Sequence, residues 1–149
     1  MSTKPLRLIG QDEGDVAPVS AALQDAIARM GDLTFEARAR RFTAVFTRYR
    51  WENASGRAER IRSGLQIGSV TSVKAQNLRK GAPDAFVSLL SLTFEPSGRE
   101  EDPSGTLVFT FAGGGALKLE VECVDLVLAD VSAPWKAAGR PDHDIGDVP

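Results

Sequence analysis

Apolar and polar residues alternate with a period of two just beyond three consecutive glycines, Gly113 to Gly115. Leu117, Leu119, Val121 and Cys123 form one set, and Lys118, Glu120 and Glu122 form the other. A two-residue period puts one set on each face of a strand. The stretch from Thr106 to Asp130 therefore predicts a β-hairpin turning on the glycines. Past Cys123 the phase changes, because Val124, Leu126 and Leu128 carry the next apolar set. Such a change needs a bulge or a break, expected at Cys123-Val124.

One segment follows a helical period instead. Val16, Val19, Leu23, Ile27 and Met30 recur at spacings of three and four, with Gln24, Asp25 and Arg29 off the stripe. That spacing predicts one amphipathic helix. Asp15 is placed to cap it, and Pro18 falls in its first turn, where a missing N–H costs nothing. Gly31 is placed to end it as the C′ residue. The other segments read as strands: Leu6 to Gln11, Leu33 to Glu36, Arg41 to Trp51, Arg62 to Asn77 with a bend at Gly64 and Gly68, and Phe86 to Phe94. Phe86 to Phe94 is almost continuously apolar and predicts a strand buried on both faces or at the sheet centre. Polar loops are expected from Asn53 to Arg60 and from Pro96 to Gly105. A short helical turn is expected from Ala133 to Ala138, with Pro134 at its start.

These elements predict an α+β fold. One N-terminal amphipathic helix packs on a bent antiparallel sheet, or a partly closed barrel, of about seven strands. A barrel like that of pleckstrin-homology domains is the alternative. A chain of 149 residues is one domain, expected over residues 1–139, with 140–149 a flexible polar tail.

Charge and composition narrow the function classes. The net charge of -2 gives no global attraction to nucleic acid or anionic membranes. Cys123 is the only cysteine, so neither an internal disulfide nor a four-cysteine zinc site can form. No apolar signal core follows Lys4, and no run reaches the roughly 18 apolar residues a membrane span needs. A cytoplasmic protein with no membrane partner is expected.

The chemistry-bearing patterns are few. A P-loop needs its glycines to open a helix, followed by a Lys-Ser or Lys-Thr pair. A strand follows Gly115, so the glycines read as a turn. Glu120 and Glu122 share a strand face but form an ordinary polar surface beside Lys118. His143, the only histidine, sits in Asp142-His143-Asp144 within the expected tail, a poor place for rigid metal or triad geometry. No catalytic residues, metal site or cofactor are predicted.

The strongest candidate is a run of arginines. Arg38, Arg40, Arg41, Arg48, Arg50, Arg57, Arg60 and Arg62 are opposed in that window only by Glu52 and Glu59. Arginine suits paired hydrogen bonds to phosphate or carboxylate. Phe42, Ala44 and Phe46 share a strand face with Arg48 and Arg50, while Tyr49 and Trp51 lie on the other. The strand is thus expected to run from the core to a wet end. Arg38, Arg40, Arg41, Arg48, Arg50 and Trp51 are the candidate anion-binding residues. The bland alternative pairs these arginines with acidic strands such as the one bearing Glu120 and Glu122.

Several words in fixed order add a resemblance. They are Leu23-Gln24-Asp25-Ala26, Gly31-Asp32-Leu33, Arg41-Phe42, Arg48-Tyr49-Arg50-Trp51-Glu52, Leu92-Thr93-Phe94-Glu95-Pro96, Phe111-Ala112-Gly113-Gly114-Gly115-Ala116 and Val121-Glu122-Cys123. From Leu6 to Trp135 the chain resembles an alphaproteobacterial family known as domain of unknown function 2948. The resemblance implies a small bacterial single-domain protein and brings no catalytic residues with it. The leading expectation is a binding or interaction module with a protein partner or a small anionic ligand. The alternative is an anion-binding protein that holds a phosphorylated metabolite or, less favoured, RNA through residues 38–62. An enzyme of unrecognised mechanism ranks third.

Overall fold

The computed structural model describes residues 4–50, 59–79 and 81–136. Eleven strands and one α-helix are present among them: β1 (Arg7–Gly10), α1 (Val16–Ala22), β2 (Ile27–Arg29), β3 (Leu33–Glu36), β4 (Arg41–Tyr49), β5 (Glu59–Ile67), β6 (Val70–Gln76), β7 (Phe86–Pro96), β8 (Gly105–Phe111), β9 (Ala116–Val121), β10 (Leu126–Asp130) and β11 (Trp135–Lys136). All pairings are antiparallel, in the order β1-β10-β5-β4-β2-β7-β8-β9-β6, with β11 beside β5 and β3 beside β4. The α+β class is as expected. The sheet is open, and the expectation of about seven strands is corrected to eleven. Strands of two or three residues, such as β11 and β2, are too short to show a period of their own. The closed pleckstrin-homology-like alternative is not observed.

The sheet bends so that its two halves share one core. Phe42 of β4 meets Phe109 of β8 with ring centroids 5.7 Å apart, and Phe109 stacks on Phe111 at 6.3 Å. Leu65, Ile67, Leu126 and Leu128 back the first half, and Leu107, Leu117 and Leu119 back the second. Each such buried side chain contributes about 1.5–3 kcal/mol relative to leaving it in water. Val16, Val19 and Leu23 bring the helix onto this core, and Ser20 Oγ accepts a hydrogen bond from the Leu92 amide at 3.0 Å.

The glycine hairpin forms as expected. Gly113 and Gly114 take φ of 87° and 95°, the left-handed region that favours glycine, and the Phe111 amide donates to the Gly115 carbonyl. Gly105 is fixed by space instead. A Cβ there would collide with the Phe94 ring and the Glu95 carbonyl across the β7–β8 pairing.

Several expectations are corrected. The helix ends at Ala22, not near Met30. Asp25 turns left-handed at φ 63°, and its amide donates to the Leu89 carbonyl. Ile27 to Arg29 then pair with β7 as β2. The helical stripe is real through Leu23. Ile27 continued the spacing by coincidence, and sheet pairing won. Gly31 therefore ends no helix, and its amide donates to the Pro83 carbonyl. Asp15 makes no side-chain cap for α1; its carboxylate accepts from the Gln11 and Asp12 amides.

β7 lies inside the sheet, between β2 and β8, as one reading of its apolar run expects, but it is not buried on both faces, because the run contains a bulge. Leu90 is the extra residue between Leu89, paired with Phe111, and Ser91, paired with Thr110. Leu89 and Leu92 both face the core, while Phe86 and Leu90 are about half exposed. At Cys123 the phase change is a break between β9 and β10. Cys123 lies outside the strand and is only half buried, with Sγ 3.8 Å from Ser69 Oγ. The bend at Gly68 is the junction between β5 and β6, whereas Gly64 sits within β5. Within the helical turn expected at Ala133 to Ala138, Trp135 and Lys136 instead form β11, paired with Arg60 and Glu59, and Ala137 and Ala138 lie outside the described residues. Glu59 and Arg60 belong to β5, not to a loop. The expected tail at 140–149, its His143 and the domain limit at 139 lie outside the described residues, as does Trp51.

Candidate functional site

The arginine-rich segment is a strand pair whose two ends differ. Strand β4 begins at Arg41 and carries Arg50 just past its other end, nine residues later, so the two arginines are roughly 30 Å apart. The candidate residues are therefore not one site. At the near end Arg38 and Arg40 are exposed. Arg40 Nη1 donates to Glu122 Oε1 at 2.9 Å, and Arg41 Nη2 donates to Glu36 Oε2 at 3.0 Å. Pairing with the acid of Glu122 follows the bland alternative for Arg40.

The far end corrects the expected wet end. Arg48 is 0% exposed, and Arg50 is buried beside it. Arg48 Nε donates to Ser63 Oγ at 2.8 Å and Nη2 to Asp130 Oδ1 at 2.9 Å, while Nη1 donates to the Tyr49 carbonyl at 3.0 Å. Ser63 Oγ donates to Asp130 Oδ1 at 2.7 Å, and the Leu6 amide donates to Asp130 Oδ2 at 2.7 Å. This network joins β4, β5, β10 and the residue before β1. Arg50 Nη1 donates to Glu59 Oε1 at 2.7 Å. A buried ion pair is tolerable only when its remaining donors and acceptors are satisfied, and here they are.

On the opposite face of the same strands the situation reverses. Tyr49 pairs with Arg60 across β4 and β5, and Trp135 pairs with Arg60 across β5 and β11. Directly opposed residues project from one face, so Tyr49, Arg60 and Trp135 form a row. The Arg60 guanidinium carbon lies 4.8 Å from the Tyr49 ring centroid, a cation–π contact. Arg60 is only 3% exposed. Its Nη1 and Nη2 are the only buried side-chain nitrogen or oxygen atoms among the described residues that find no hydrogen-bond partner. Arg62, two residues along on the same face, is exposed and pairs across the sheet with Thr47. No carboxylate stands in either cross-strand row.

Reading the sequence missed Arg60 as a sited residue because it fell at the end of an expected loop. The signal was present: Arg60 and Arg62 alternate with Ile61, Ser63, Leu65 and Ile67, the period of a strand that starts earlier.

The remaining clusters carry less. An open cleft of about 510 Å³ is lined by acids, including Glu95, Asp102 and Glu120. Two of them already have partners: Thr106 Oγ1 donates to Glu120 at 2.6 Å, and the Ser104 amide donates to Asp102 at 2.9 Å. That amide, followed by the Ser104 and Ser97 hydroxyls, holds the Asp102 carboxyl below the ordinary carboxylate value. Among the described residues no group of three His, Cys, Asp or Glu side chains converges to hold a metal. No helix among them is long and apolar enough to cross a membrane.

Fold and site together define an α+β domain with an open, folded antiparallel sheet and a buried arginine-rich end. The chain matches the model of the family described as protein of unknown function (DUF2948) over residues 6–143, and it belongs to that family. No curated protein and no solved structure matches it.

Proposed function

We propose that this domain is a cytoplasmic bacterial binding module that holds a small anion, a phosphate or carboxylate group on a metabolite, at Arg60. One observation carries the reading: a guanidinium that is almost fully buried while both terminal nitrogens lack partners. Leaving a buried polar group unsatisfied costs about 1–3 kcal/mol, and more for a charge. An anion on Arg60 offsets that cost, and the low polarity around it strengthens the pairing. Exposed Arg62 on the same face adds a second positive charge about 7 Å along the strand. Arg48 and Arg50 serve the site indirectly, because Arg48 ties β4 to Ser63 of β5 and Asp130 of β10, and Arg50 pairs with Glu59 of β5.

Calorimetric titration with inorganic phosphate tests the assignment. Phosphate is expected to bind the wild type and to lose at least tenfold in affinity in Arg60→Met, with a smaller loss in Arg62→Met, roughly as a charged hydrogen bond dictates. Equal phosphate affinity in wild type and Arg60→Met, or no binding to either, contradicts it.

A further inference from the structure

We propose that the ligand carries its anionic group on a planar aromatic ring, as an aryl phosphate or aryl carboxylate does. This rests on the reading of Arg60 as the anion anchor. Tyr49, Arg60 and Trp135 stand on three neighbouring strands, β4, β5 and β11, in one row. Adjacent strands are about 4.8 Å apart, so one small ligand can reach both Trp135 and Arg60. The Arg60 guanidinium lies over Tyr49, so that side of the arginine is already in contact. Trp135 stands on the other side and is only half buried.

An indole beside an unpartnered guanidinium offers two kinds of recognition at one strand spacing. The ring stacks on any flat π-face, and the Nη edge donates hydrogen bonds to the anion. A bare anion would use the arginine and leave the tryptophan idle. A long polyanion would need a continuous track of exposed cations, whereas among the described residues this face presents Arg62 beside the row, Arg7 two strands away from β5, and Arg41 at the other end of β4, where Glu36 pairs with it. A single aromatic ring bearing one charged group fits both features.

Two probes separate this inference from the one beneath it: inorganic phosphate and phenyl phosphate, each titrated calorimetrically into wild type, Trp135→Ala, Trp135→Phe and Arg60→Met. Wild type is expected to bind phenyl phosphate about tenfold more tightly than inorganic phosphate. Trp135→Ala should erase that advantage while keeping the affinity for inorganic phosphate. Trp135→Phe should retain most of it, which shows that the ring matters and not only the integrity of β11. Arg60→Met should weaken both probes. Equal affinity of the wild type for the two probes, or an advantage that survives in Trp135→Ala, overturns the aromatic ligand and leaves the Arg60 anchor standing. Failure of both probes to bind the wild type overturns both.

Discussion

Arg48 and Arg60 are one rung apart on the same strand pair and point to opposite faces. Arg48 sits across from Ile61, and Arg60 sits across from Tyr49. Both are almost completely buried. Arg48 spends its donors on Ser63, Asp130 and the Tyr49 carbonyl, and its partner Asp130 also accepts from the Leu6 amide. Arg60 has an aromatic ring beneath it and nothing on its terminal nitrogens. Burial alone therefore does not distinguish a structural charge from a binding one. The distinction lies in whether the donors are satisfied inside the fold.

The largest effect that could break this comparison comes from Asp130→Ala. Removing one partner of a buried pair strands the other, so a loss of about 3–5 kcal/mol in urea denaturation is expected. A loss under about 1 kcal/mol would mean that the clasp is not structural. Arg60→Met should move the other way at low anion concentration. It removes an unsatisfied charge worth about 1–3 kcal/mol against a cation–π contact worth about 0.5–2 kcal/mol. The expected result is stability unchanged or slightly raised, and a marked loss would place Arg60 with Arg48 as a structural residue. Arg40→Ala is the smallest. Its pair with Glu122 is more than half exposed on both sides, so a change below about 1 kcal/mol in the same denaturation sets the baseline.

The sequence was most legible where a period ran long. The hairpin on Gly113 and Gly114, the face shared by Phe42, Ala44, Phe46, Arg48 and Arg50, and the apolar stripe of Val16, Val19 and Leu23 all follow from spacing alone. What failed were features set by distant partners. Nothing near Ile27 says that Ser88 will pair with it, and the helical spacing through Met30 was the stronger local signal. The bulge at Leu90 converted a two-faced apolar run into a one-faced strand, which composition cannot show. For the site, the arginine-rich window was visible, but its division was not. Arg48 is buried because Asp130, eighty-two residues later, reaches it. Arg60 is set apart because Trp135 and Tyr49 flank it in its cross-strand row, where no acid stands. Such pairings depend on the strand order β11-β5-β4, which no local pattern encodes.

Titration of inorganic phosphate against the arginine side-chain N–H signals in a proton–nitrogen correlation spectrum compares the two arginines within one sample. The Arg60 Nε–H signal, assigned from its loss in Arg60→Met, is expected to shift and saturate while the Arg48 signal stays fixed. A shift at Arg48 with none at Arg60, or no change at either, contradicts the assignment of Arg60 as the anion-binding residue.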